Sequence, residues 1–316
     1  MGQVDLDLKP YLSDRRRYAD VYNGCIFGGR QLLKAEELEP AGTVVTKSDK
    51  DASLERISDV VMRQKSTGDL FALWILENQE TVDYSMPVRV MLKEALEYDR
   101  QVREIRRANA SEYKNGRGTP VSGEYLYKVR KTDRIRPVNT LILYWGKEPW
   151  DGPRSLHEFI EFGSEDTELK EKLKQMVSEY PLYILDLGAE NDYSVYQTEL
   201  RTVFELYRRR NDKKQFKSYV EEHKECRHLD EDTCRIICRQ TNTKELMQKA
   251  DQGEEEEKDM CNAIKELIED GRTEGENTFA ALINQLLSDN RMEDVKLAAS
   301  DVNARKKFYR EYGIAD

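Results

Sequence analysis

Residues 57–79 constrain the chain more than any other stretch. Ile57 opens I-S-D-V-V-M-R, a polar turn Q-K-S-T-G-D follows, and L-F-A-L-W-I-L-E-N-Q ends at Gln79. Two apolar runs of strand length around a Gly-containing turn signal a β-hairpin. With Gly68 at the centre of the turn, facing residues have numbers that sum to 136, and Asp59 and Glu77 form such a pair. Cross-strand partners hold their Cβ atoms about 4.5–5.5 Å apart, so the two carboxylates would share one spot on one face. Alternation puts Gln79 on that face and turns Asn78 away. Two carboxylates this close repel unless a cation lies between them. Mg²⁺, which takes one or two carboxylates and keeps several waters, is the natural choice, with Mn²⁺ in the same role. The plainer reading is a pair of surface charges, and a bulge in the hairpin would spoil the register.

The residues around the pair carry a family resemblance. D-V-V followed by E-N-Q is similar to the PD-(D/E)xK nuclease pattern, with Gln79 where Lys is usual. Four stretches resemble the recombination-promoting nuclease (Rpn) and transposase-like family: 18–29 (Y-A-D-V-Y-N-G-C-I-F-G-G), 77–92 (E-N-Q-E-T-V-D-Y-S-M-P-V-R-V-M-L), 143–157 (L-Y-W-G-K-E-P-W-D-G-P-R-S-L-H) and 227–235 (R-H-L-D-E-D-T-C-R). The resemblance implies a restriction-endonuclease-like α/β core, a mixed sheet flanked by helices. It implies Asp59, Glu77 and Gln79 as the catalytic set, with Asp59 and Glu77 holding the metal. Asp20 is the matching candidate for a third ligand; as an ordinary cap or surface acid it would need no such role.

The chain has 316 residues and a net charge of −10, which at first argues against a nucleic-acid partner. The charge is uneven: residues 1–150 hold 25 Lys and Arg against 23 Asp and Glu, and residues 151–316 hold 26 against 38. The half with the hairpin is thus the half that could approach phosphates. No apolar run reaches membrane-spanning length. The first residues are acidic without an apolar signal core, so secretion is not expected. Five cysteines, an odd number, read as reduced thiols of a cytosolic protein.

Helical signals open at Ser13 or Asp14 and run to Cys25. A second helix begins at Ser85-Met86-Pro87, with Val88, Met91, Leu92, Ala95, Val102 and Ile105 expected as its core face. Arg89, Lys93, Arg100, Arg103 and Arg107 fall within about 40° of one line on that helix, a basic stripe suited to phosphates or to solvent. Arg89 and Tyr98 also match positions in the family's helix, where they would orient site or substrate. Tyr125–Arg130, Pro137–Tyr144 and Leu182–Leu187 read as strands, and Ser155 with Glu158 as a capping box. His157, in a first helical turn, reads as structural. His223, Cys226, His228, Cys234 and Cys238 have spacings that fit no common closed zinc site. The acidic run Glu254–Glu257 reads as a solvated linker.

The sequence therefore predicts a nuclease-like α/β domain at 1–190 and an all-helical region at 191–316. The predicted activity is Mg²⁺-dependent hydrolysis of DNA in the cytoplasm, linked to recombination, mobile elements or phage defence and compatible with a homodimer. A catalytically silent DNA- or protein-binding member of the same fold is the alternative.

Overall fold

The computed structural model describes residues 5–41, 60–66, 69–115, 122–163, 166–243, 245 and 259–314. Two compact units emerge, Met1–Lys213 with Arg239–Thr241, and Lys214–Cys238 with Asn242–Asp316. The first unit runs past the expected border at residue 190. The reason is a helix, Leu200–Arg208, whose Phe204 and Tyr207 pack edge-on against Trp145 with ring centroids 6.0 and 5.1 Å away.

The first unit begins with two helices, α1 (Asp5–Leu12) and α2 (Arg15–Cys25). Asp14 caps α2 by accepting from the amides of Arg16 and Arg17, which satisfies donors that a helix start leaves orphaned. Five strands follow, β1 (Leu38–Pro40), β2 (Val60–Ser66), β3 (Asp69–Gln79), β4 (Val138–Tyr144) and β5 (Tyr183–Asp186). They lie side by side in chain order, antiparallel from β1 to β3 and parallel from β3 to β5. Parallel neighbours need a crossover. Helices α3 (Met86–Lys114) and α4 (Ser122–Tyr127) lie between β3 and β4, and α5 (Leu156–Phe159) and α6 (Thr167–Met176) between β4 and β5. This is an α/β unit with a five-stranded mixed sheet flanked by helices.

The hairpin forms as its sequence requires, by an unexpected route. Next to the turn, Ser66 pairs with Asp69 and Lys65 with Leu70, so the numbers sum to 135. Phe71 is an extra residue, a bulge, and beyond it the pairs from Gln64–Ala72 to Val60–Leu76 sum to 136. The bulge thus creates the expected register.

The run from Tyr125 to Arg130, expected as a strand, is instead the short helix α4 followed by a turn in which Lys128 takes φ 57°. Tyr125, Leu126 and Tyr127 are all exposed, so the run has no sheet face to bury. Among the described residues no helix is long and apolar enough to cross a membrane.

The second unit is helical, as expected. Its last three described helices, Met260–Ser288, Met292–Ser300 and Val302–Tyr312, share a core of Leu282, Leu286, Ala298 and Phe308. Cys226, Cys234, Cys238 and Cys261 are buried in this unit and form no disulfide. Burial, with the nearby charge of Glu225 adding to it, pushes the Cys226 thiol up to about 12. The acidic run Glu254–Glu257 lies outside the described residues.

Candidate active site

Strand β3 sends alternate side chains to opposite faces. On one face Tyr22 of α2 donates its hydroxyl to the Ile75 carbonyl at 2.6 Å and packs edge-on against Trp74. Asn78 serves this face too, accepting from the Trp145 indole N–H at 3.2 Å. The other face carries Glu77, and α3 covers it. Glu77 is 2% exposed and Lys93 of α3 is 3% exposed, and their side chains form a buried ion pair. A carboxylate and an ammonium this deeply buried are each intolerable alone and tolerable together. The charge of Glu77 also reaches Tyr18, whose hydroxyl is held well above its ordinary value by burial first, then by Tyr22 and Glu77.

Next to Lys93 lies Glu94, whose carboxylate accepts the Tyr180 hydroxyl. Burial raises the Glu94 carboxyl above its ordinary value against the lowering effect of that bond. One turn further, Glu97 is fully buried and held by both ends of the Arg100 guanidinium at 2.7 and 2.6 Å. Gln101 exchanges two bonds with the backbone of Arg136, at 2.7 and 3.2 Å. From Val90, the residues Lys93, Glu94, Glu97 and Gln101 all lie within about 60° of one line on the helix. The buried face of α3 is therefore mostly polar. Of the expected core face, Val88 and Ala95 are exposed and Met91, Leu92, Val102 and Ile105 are half-buried.

Several expected site residues stand elsewhere. Lys93 belongs to the ion pair and not to a solvent-facing stripe. Arg89 pairs with Asp83 at 3.0 Å, Arg103 with Asp99 at 3.1 Å, and Arg100 with both Glu97 and Glu104. The stripe is thus largely neutralised by its own surroundings. The Tyr98 hydroxyl accepts from the Val138 amide at 3.1 Å, and its ring packs against Val61, Leu73, Ile75 and Val138, a structural placement.

Asp20, buried at 2%, accepts from the amides of Gln197 and Thr198 and from the Thr198 hydroxyl at 2.7–3.0 Å. It caps the turn before Leu200–Arg208, on a side of α2 away from Tyr18 and Tyr22, and the structure does not bring it to Glu77. Gln79 is half-buried beside Tyr144 in the parallel ladder, and its carbonyl accepts from the Trp145 amide at 2.7 Å. Asp59 lies outside the described residues; the ladder reaches Val60–Leu76, the register that pairing Asp59 with Glu77 required. His157 holds the Val177 carbonyl at 2.8 Å and Glu179 at 3.2 Å, a structural post.

The residue that sequence reasoning misplaced is Lys93. The available signal was a second helical period, made of polar residues, running beside the apolar one. Among the described residues no group of three His, Cys, Asp or Glu side chains could hold a metal ion. Glu77 is one hard oxygen donor of the kind Mg²⁺ takes, so a metal fits here only together with Asp59. Compared with protein-family models, with curated proteins and with solved structures, the chain gives no match.

Proposed function

We propose that the protein is a metal-dependent endonuclease of the PD-(D/E)xK kind acting on DNA, with Glu77 and Gln79 of β3 and with Asp59 as its site residues. One observation carries the reading most: the Glu of E-N-Q is buried at the end of a parallel strand, with Lys93 from α3 against it. The resemblance lacks its usual Lys at position 79, and Lys93 brings a lysine to the same carboxylate from another element. Ligands outside the carboxyl ends of parallel strands are the general habit of α/β sheets.

In this reading Asp59 and Glu77 hold Mg²⁺ or Mn²⁺, which supplies a metal-activated water and charge stabilisation for phosphodiester hydrolysis. Lys93 fixes the orientation of Glu77. Gln79 offers an amide that both donates and accepts, and so can position water or phosphate. A cytoplasmic role in recombination, mobile elements or phage defence follows from the resemblance alone.

The second reading is a silent binding member of the same fold, favoured by the near-complete burial of Glu77 and Lys93. Plasmid cleavage with Mg²⁺ separates the two. Asp59→Asn should abolish cleavage and keep the fold, and Gln79→Ala should slow it by about 10²–10³. Asp20→Asn protein that folds should cut at the wild-type rate. Wild-type protein that neither cuts nor binds Mn²⁺ in a titration would establish the silent reading.

A further inference from the structure

Among the described residues of α3 and the segment that ends at Arg136, the cations without a carboxylate partner are not on the part of α3 that covers the sheet; one of them, Arg134, also donates to the Lys131 and Asp133 carbonyls at 2.7 Å. They gather where α3 ends and around the chain that follows it. Residues 103–115 and 122–136 hold nine Lys and Arg against four Asp and Glu, in a chain of net charge −10. The acids here are committed. Glu112 pairs with Arg130, and Glu124 accepts from the Lys131 amide at 3.0 Å. Asp133 accepts from the Arg130 amide and from the Asn109 side chain, both at 2.7 Å. Glu104 pairs with Arg100. Among the described residues no carboxylate pairs with Arg106, Arg107, Lys114, Lys131, Arg134 or Arg136, and all six are exposed.

Large rings interleave these cations. Tyr125 is 58% and Tyr127 65% exposed, with Leu126 between them at 70%. The Lys128 ammonium sits 3.4 Å from the centre of the Tyr125 ring, and that ring lies 6.1 Å from Tyr113. The surface is also built rather than loose. Asn109, 5% exposed on α3, donates to the Lys128 carbonyl at 3.0 Å as well as to Asp133, and Gln101 clasps Arg136.

We propose that this surface, the end of α3 with α4 and the segment to Arg136, binds the unpaired nucleotides of single-stranded DNA. Tyr127 and Tyr125 stack on bases, while Arg107, Lys131 and Arg134 take phosphates. Rigid aromatic platforms set among unpaired cations are how proteins hold single strands without reading sequence. An acidic protein would satisfy the charge but has no need of exposed rings. The surface starts about 20 Å along α3 from Lys93, at 1.5 Å per residue. The proposal deepens the DNA reading above, and its test does not depend on cleavage.

The test measures fluorescence anisotropy of the full chain with a labelled oligothymidine and with a blunt duplex of equal length, both in EDTA. The single strand should bind more tightly. Tyr127→Ala should weaken single-strand binding by about 5- to 150-fold, as stacking losses do, and leave duplex binding and the circular dichroism spectrum unchanged. Tyr127→Phe should restore it. Lys131→Ala with Arg134→Ala should lower the salt slope of log affinity by about 1.4 for the two contacts. Wild-type protein that binds the single strand but never cuts sinks only the nuclease reading. Tyr127→Ala without effect, or with equal loss on duplex, would overturn the proposal. So would a dimer that Tyr127→Ala dissociates in sedimentation, since the patch would then be covered by a second copy.

Discussion

The two faces of the sheet are filled by opposite means. Against α2 and the helix Leu200–Arg208 the filling is aromatic: Tyr18, Tyr22, Trp74 and Trp145, with hydroxyl and indole groups that each find a partner. Against the middle of α3 it is ionic: Lys93 on Glu77, Tyr180 on Glu94, Arg100 on Glu97. The two fillings differ in what happens when one member is removed, because an aromatic ring packs with many neighbours while a buried charge depends on one.

The sharpest break is Glu77→Gln. It leaves Lys93 charged and unpaired in a 3% exposed position, and should cost about 3–5 kcal/mol in urea unfolding. The double variant Glu77→Leu with Lys93→Met should recover most of that loss, since apolar residues often replace buried ion pairs without penalty. If the double variant is no more stable than Glu77→Gln, the pair is not what holds this face.

On the aromatic face, Tyr22→Phe keeps the ring and removes only the hydroxyl, which meets the Ile75 carbonyl at 2.6 Å and the Asn139 carbonyl at 3.3 Å. A loss of about 1 kcal/mol is expected, visible as a shift of the urea midpoint with unchanged slope. A loss as large as that of Glu77→Gln would erase the contrast between the faces.

The smallest effect concerns pH. Burial raises the Glu94 carboxyl above its unfolded value, so the folded state holds that proton more tightly. Its stabilising share is complete below the ordinary carboxylate range and disappears as pH rises through the raised folded value. Unfolding free energy should therefore fall over that interval, and Glu94→Gln should flatten the fall. Identical pH profiles for the two proteins would show that Glu94 is not the group responsible.

Legibility in the sequence divides along the same line. The hairpin was readable because period-two alternation and a Gly turn are local signals, and α2 because Asp14 caps it from next door. The start of α3 was readable for the same reason, at Ser85-Met86-Pro87. Its rotation was not. Apolar periodicity assumes that apolar residues face the core, whereas Val90, Lys93, Glu94, Glu97 and Gln101 face it here, about 120° away from Met91 and Ala95. What licenses that face is mostly distant in sequence: Lys93 meets a residue 16 positions away and Glu94 one 86 positions away. Of the two readings open for Asp20, the cap could not be chosen from sequence for the same reason, since the amides it caps are 177 and 178 positions away. The strand expected at Tyr125–Arg130 failed on the opposite ground: its side chains suit a strand, but among the described residues no strand pairs with it. Asp59, on which the metal depends, lies outside the described residues.

The bulge at Phe71 has a consequence for how this chain tolerates length change. It is one residue of slack in an otherwise fixed ladder, and Phe71 itself is 53% exposed. A deletion at that point would convert the bulge into regular pairing, and Gln64 would still meet Ala72. Every pair out to Val60–Leu76 would keep its partner. A deletion on the β2 side, anywhere from Val60 to Arg63, has no such reserve, and would slide one strand against the other and turn its buried side chains outward. The hairpin is thus tolerant of shortening on one strand and intolerant on the other, an asymmetry in permitted gaps set by a single unpaired residue.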